Sequence, residues 1–151
     1  MIRVQSNDFE LGLEINKMRA GRYNIGGICS FIGLVRDIAD GEEILSMTLE
    51  HYPGMTEKAL TEIDEKAHTL WPLIDTLVIH RYGKLNPGDQ IVLVCVASEH
   101  RKSAIDACHF LIDFLKTKAP FWKCENTNVG SNWVDERVLD KQEEKKWESN
   151  F

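Results

Sequence analysis

The nine residues from Gln90 to Ser98, QIVLVCVAS, contain no charged side chain and set seven apolar residues in a row. A strand this apolar has no polar face to turn to solvent, so it belongs at the centre of a sheet. The following segment, KSAIDACHFLIDFLKTK, changes period: Ala104, Cys108, Leu111 and Leu115 fall on one face of a helix. Ser103 and Asp106 have the spacing of a capping box. Pro120 stops the helix, because proline holds the residue before it out of helical angles.

The other elements follow from the same two periods. Leu11, Ile15 and Met18 recur at helical spacing after SND, whose short polar side chains suit an N-cap, which predicts a first helix over about residues 8–19. NIGGICSFIGLVRD is rich in β-formers and ILSMTLEHY alternates with period two, so both read as strands, joined through the turn-rich IADGEE. MTEKALTEIDEKAHTLW puts Ala59, Ile63, Ala67 and Leu70 on one helical face, with Pro72 as its stop. DTLVIHRYG and QIVLVCVAS flank the LNPGDQ turn as a further pair of strands. FWKCE and NWVDERV read as short strands or extended loops, and DKQEEKKWESN as a solvated terminal helix. The order α, ββ, α, ββ, α, ββ, α predicts an α+β fold with a mixed or antiparallel sheet rather than a doubly wound parallel one.

At 151 residues the chain is read as a single domain, 1–151, long enough to bury a core. No apolar run approaches the roughly 20 residues that span a bilayer, and the N-terminus shows no basic segment leading into an apolar one, so a cytoplasmic protein without a membrane partner is expected. A net charge of −6 argues against nucleic acid, so an anionic ligand must be held by a local cluster of cations. Cys29, Cys95, Cys108 and Cys124 form no C-x-x-C pair, and no metal site is expected. The first three lie in apolar segments and read as buried thiols. Phosphate-loop, dinucleotide and nucleophile-elbow motifs are absent from the sequence.

One such cluster stands out in KTKAPFWKCE, where Lys116, Lys118 and Lys123 surround Pro120, Phe121 and Trp122. Spacing alone favours an ordinary role, in which Lys116 and Lys118 complement a helix C-terminus and Lys123 is solvated. The bulky PFW neighbours favour the other reading, since partial desolvation makes a lysine a usable base or nucleophile. His100 and Arg101 stand between the central strand and the long helix, where free backbone N–H groups favour an anion; capping and solvating that junction is an equal alternative. The same dipeptide at His80 and Arg81 lies within a strand and reads as structural. Arg36 closes a strand, from where it can reach a ligand.

Five segments, GGICSFIGLVRD, LEHYPGM, HRYGKLNPGD, VASEHRKSAIDAC and LKTKAPFWKCE, in this order and at these intervals, resemble the large, catalytic subunit of molybdopterin synthase. The resemblance runs from about residue 25 to Glu125 and continues weakly through WVDERV. It implies an α/β hammerhead-type domain with an additional antiparallel β-sheet. It implies a sulfurtransferase that moves sulfur from a small ubiquitin-like carrier, ending in a Gly-Gly thiocarboxylate, onto cyclic pyranopterin monophosphate. It also implies a homodimer with a carrier at each end, a heterotetramer. No metal or dissociable cofactor is implied, because molybdenum enters after this step. By motif position the active-site lysines fall on Lys116 and Lys123, the substrate-binding cations on Arg36, His100 and Arg101, and further pocket residues on Phe31, Glu125 and Arg137. The family often carries a second basic residue after the FWK lysine, where this chain has Cys124. Two other functions fit the same cations: a non-catalytic dimeric module that binds a phosphorylated metabolite or a partner's tail, and a lysine Schiff-base enzyme.

Overall fold

The computed structural model describes residues 1–134 and 138–148. Its main sheet holds four strands: β1 (Ile2–Gln5), β2 (Gly27–Leu34), β5 (Leu73–Arg81) and β7 (Gln90–Ser98), in the order β1-β5-β7-β2. Only β1 runs parallel to its neighbour; β5 and β2 are antiparallel to β7. A second, antiparallel sheet has the order β3-β4-β8-β9, built from β3 (Ile38–Ala39), β4 (Glu42–His51), β8 (Phe121–Thr127) and β9 (Gly130–Val134). The short β6 (Gly83–Leu85) also pairs with β4. The helices are α1 (Leu11–Arg19), α2 (Met55–Leu70), α3 (Arg101–Thr117) and α4 (Val138–Glu148). The chain is thus α+β with an additional antiparallel sheet, and no helix among the described residues is long and apolar enough to cross a membrane.

The apolar strand β7 is central, and its alternating side chains serve two cores. Val94 and Val96 pack with Ile63 and Ala67 of α2 and with Phe110, Leu111 and Phe114 of α3. Leu93, Cys95 and Ala97 point the other way, toward Phe9 and Met18. Fully burying a side chain of this size is worth about 1.5–3 kcal/mol. Such burial on both faces explains why no polar residue interrupts the strand. A third cluster, including Ile44, Met47, Leu49 and Leu85, seals the second sheet.

Several sequence expectations need correction. β1 was not anticipated: four residues carry too little pattern, and the partner that makes them a strand lies some 75 positions away in β5. α1 begins at Leu11 with Glu10 at the cap, so SND is not its N-cap. Asp8 Oδ1 instead accepts hydrogen bonds from the Phe9 N–H and from Gln90, tying the loop to β7. α2 buries Leu60 as well as Ile63 and Ala67, while Ala59 is half-buried, so the inner stripe is centred one position further on. α3 starts at Arg101 with His100 as its cap, earlier than the proposed Ser103–Asp106 capping box; Asp106 pairs with Lys102 instead. Cys95 and Cys108 are buried as expected, and burial pushes both thiols up, Cys95 to about 11; Cys29 is half-buried.

The terminal helix is not simply solvated. The Trp147 Nε1–H donates to buried Asp113 of α3 at 2.7 Å, and the indole meets Trp71 and Phe110 edge-on. Glu144 is buried and its carboxylate lies 2.8 Å from the Lys118 ammonium. One tryptophan in a charged segment gives no helical stripe to read, which is why its anchoring was missed.

Candidate active site

Where the main sheet, the second sheet and the end of α3 meet, they enclose a cavity of about 740 Å³. Strand alternation decides what β8 contributes. Phe121, Lys123 and Glu125 share one face and line the cavity, standing opposite His51, Leu49 and Met47 of β4. Trp122 and Cys124 point to the other side and are not among the lining residues. Cys124 is therefore half-buried on the far face of this sheet, away from the neighbouring lysine's site.

Lys116 enters from the last turn of α3, whose apolar stripe supplies Ile112 and Leu115 to the same wall. Phe31 and Gly33 come from β2, opposite Val94 and Val92 of β7. A Cβ on Gly33 would stand 2.7 Å from Val92, so glycine keeps this wall open. Just beyond β2, Val35 donates its N–H to the Asp89 carbonyl and accepts from the Gly88 N–H, which fixes where Arg36 turns to the cavity. Five of the residues singled out from sequence, Phe31, Arg36, Lys116, Lys123 and Glu125, thus meet in one place.

His80 joins them, which the sequence reading did not foresee. Its ring is buried and lies flat on Phe121, with centroids 3.6 Å apart and planes 15° from parallel. Nδ1 is 2.9 Å from the Arg81 carbonyl oxygen. Burial pushes the imidazole down to about 3, with the charges of Lys123 and His51 acting in the same direction and the Arg81 carbonyl opposing them. Alternation along β5 indicates the face that His80 takes, but only the packing of the second sheet makes that face part of a cavity.

His100 and Arg101 stand elsewhere. Both are exposed at the N-terminal end of α3, beside the start of β2, where a Cβ on Gly26 would fall 1.9 Å from the Glu99 carbonyl oxygen. Lys116 lies fifteen residues further along the same helix, about 22 Å at 1.5 Å per residue. A straight helix holds the two groups apart within one chain. Arg137 lies outside the described residues.

The walls are largely apolar, and among the described residues three cationic side chains, one carboxylate and a neutral imidazole line them. Such a site suits an anion carried on a flat organic body: the walls exclude water, and fixed positive charge acts strongly where water is scarce. Among the described residues one group has metal-ligand chemistry, His109, Asp113 and Glu143, with ligand atoms within 4.8 Å of one another. Trp147 and His109 already contact Asp113 Oδ2, and Glu143 pairs with Lys146, so this cluster reads as the polar seam between α3 and α4.

Comparison with known proteins gives a consistent result. Residues 4–118 match the family described as MoaE protein. A molybdopterin synthase catalytic subunit of Ralstonia nicotianae is 60% identical over 146 residues, covering 97% of this chain and 83% of that one. The solved structure of a molybdopterin biosynthesis MoaE protein from Burkholderia ambifaria superposes with a TM-score of 0.84 at 46% identity, over 98% of this chain and 97% of its own. A chain from a complex of subunits 1 and 2 of the molybdopterin-converting factor of Helicobacter pylori shares the fold, with a TM-score of 0.73 at 22% identity, over 90% and 91% of the two chains.

Proposed function

The chain belongs to the MoaE protein family, and from that premise we propose that it is the catalytic subunit of a molybdopterin synthase. The reaction moves sulfur from the C-terminal thiocarboxylate of a small ubiquitin-like carrier onto cyclic pyranopterin monophosphate, giving the dithiolene. The observation that carries this reading is the convergence of Lys116, Lys123 and Arg36 in one apolar-walled cavity. A thiocarboxylate, a cyclic phosphate and the anionic transition state between them all gain from cations already in place. Lys116 and Lys123 act on the reacting groups, Arg36 holds substrate through its forked donors, and Phe31 and Glu125 complete the pocket. Arg137 is assigned to substrate binding by motif position alone.

His100 and Arg101 complete the substrate site from a second copy of the chain. The length of α3 supports this: it keeps Arg101 far from Lys116 in one protomer, so a site that uses both cations takes them from different copies. The working assembly is accordingly a homodimer with one carrier at each end, in the cytoplasm. The N-terminal end of α3 adds free backbone N–H groups to the two side chains, a suitable setting for phosphate.

Reconstitution tests the reading. The protein, mixed with thiocarboxylated carrier and cyclic pyranopterin monophosphate, yields molybdopterin; a carrier ending in an ordinary carboxylate yields none. Tight binding of both ligands without product identifies a recognition module instead. Trapping of a carbonyl substrate by borohydride identifies a Schiff-base enzyme.

A further inference from the structure

Two of the four cysteines meet beside the cavity. Cys29 of β2 stands opposite Val96 of β7 and shares its face of the strand with Phe31 and Gly33, which line the cavity. That face turns to the inner stripe of α3. Cys29 packs on the core cluster that contains Cys108, and the two thiols share a side-chain hydrogen bond. Phe31 follows Cys29 on its strand face, and Ile112 follows Cys108 by one helical turn, so the contact lies just behind the cavity wall. The two thiols differ in access. Cys108 is 2% exposed and burial pushes its thiol up, whereas Cys29 is half-buried on an edge strand of the main sheet. Cys95 packs in the opposite core, and Cys124 is on the far face of the second sheet.

We propose that Cys29 and Cys108 are a redox pair: a hydroperoxide converts the two thiols to a disulfide that ties β2 to α3 and narrows the cavity they wall. Cys29, the more accessible, attacks a peroxide oxygen as its thiolate. The O–O bond breaks, the peroxide leaves as an alcohol, or as water from hydrogen peroxide, with the proton that Cys29 gave up, and Cys29 becomes a sulfenic acid. The Cys108 sulfur, already in contact, then attacks the sulfur of Cys29. The S–O bond breaks and the hydroxyl leaves with the Cys108 proton as water, so two thiols are oxidised for one peroxide reduced. An S–S bond of about 2.05 Å is much shorter than a non-bonded sulfur contact, so closing it draws β2 toward α3. Among the described residues β2 pairs with β7 alone, which leaves this strand free to yield. In a reducing compartment such a link is transient, as a sensor requires.

Formation of the link is independent of the proposed function, whereas its effect on turnover rests on that reading. The reduced protein is treated with hydrogen peroxide, blocked with a thiol reagent and digested. A peptide pair joined through Cys29 and Cys108 is recovered, and dithiothreitol separates it. Cys29 carried to sulfinic acid beside a free Cys108, a link through another cysteine, or a link between two chains overturns the proposal. Cys108→Ala removes the resolving sulfur, so dimedone traps Cys29 as its sulfenic acid in this variant and traps little in wild type. Equal trapping in the two proteins overturns the proposal, and the wild-type peptide map decides it should the variant fail to fold. In the reconstituted reaction the linked wild-type protein loses about tenfold or more in rate, within the scale for a displaced site wall, and recovers with dithiothreitol. Cys29→Val keeps its rate through the same treatment. Full rate in the linked protein overturns the narrowing of the cavity. Should the reduced wild-type protein transfer no sulfur, the proposed function fails, and the peptide map still decides whether the pair forms.

Discussion

Lys123 shares its face of β8 with Phe121 and Glu125, so a substitution there acts in the cavity rather than on the outer surface. Lys123→Ala is expected to abolish most sulfur transfer while carrier binding, measured by titration, stays near wild type, because docking rests on a larger surface than one side chain. Lys123→Arg is expected to fail as well: arginine keeps the charge but does not release a proton near neutral pH, and its fork differs in shape. Full activity in Lys123→Arg would reduce the lysine to an electrostatic clamp. His80 makes a separate prediction about stability. Its folded-state pKa, about 3, lies below the ordinary value of 6.5, chiefly through burial. The stability it confers is therefore complete above about pH 6.5 and is lost as the pH falls toward 3, because the unfolded chain takes up a proton that the folded one refuses. Between pH 7 and pH 5 this amounts to about 2 kcal/mol. Urea unfolding at the two values should show that drop in the wild-type protein, and His80→Phe should reduce it by a similar amount.

At the scale of elements, the junction of β2 with α3 is held by close backbone approach. The Gly26 N–H donates to the Ser98 carbonyl at 3.0 Å, and a methyl group at Gly26 would overlap the Glu99 carbonyl. Backbone on both sides leaves no flexible side chain to yield. Gly26→Ala should destabilise the protein by about 3 kcal/mol, the upper range for overpacking, and shift the residues that present His100 and Arg101. Gly12→Ala, at a helical position open to solvent, should be neutral or slightly stabilising. Denaturant midpoints of the two variants make the comparison, and equal midpoints would show that the junction is looser than its geometry indicates.

For the whole molecule, the spread of the cations along α3 gives a sharp test of assembly. β7 lies between β5 and β2 with both faces packed into cores, so its apolar side chains are used within the chain. A dimer must use other surface, and sedimentation should give twice the chain mass. If each site takes Lys123 from one copy and Arg101 from the other, Lys123→Ala and Arg101→Ala proteins are both poorly active alone. Mixed and allowed to exchange subunits, they recover up to about a quarter of wild-type activity, since half of the dimers are mixed and each mixed dimer has one intact site. Sites built within one chain recover nothing.

The sequence by itself determined the elements whose patterns are long and one-sided. Nine residues without a charge could only be a central strand, and the apolar stripe of α3 could only face it. Its ordered motifs also marked the residues that meet in the cavity, because motif spacing records which side chains a fold brings together even where local physics favours a solvated lysine. Other features depended on contacts between distant segments. β1 became a strand through pairing with β5, Trp147 found its place through Phe110 and Asp113, and His80 entered the site through Phe121, some forty residues on. The separation of Arg101 from Lys116 was likewise invisible in a list of cations and plain once one straight helix carried both. Periodicity reports which face of an element is buried, but what lies against that face is decided by long-range packing, where segments without a strong pattern take their structure from their neighbours.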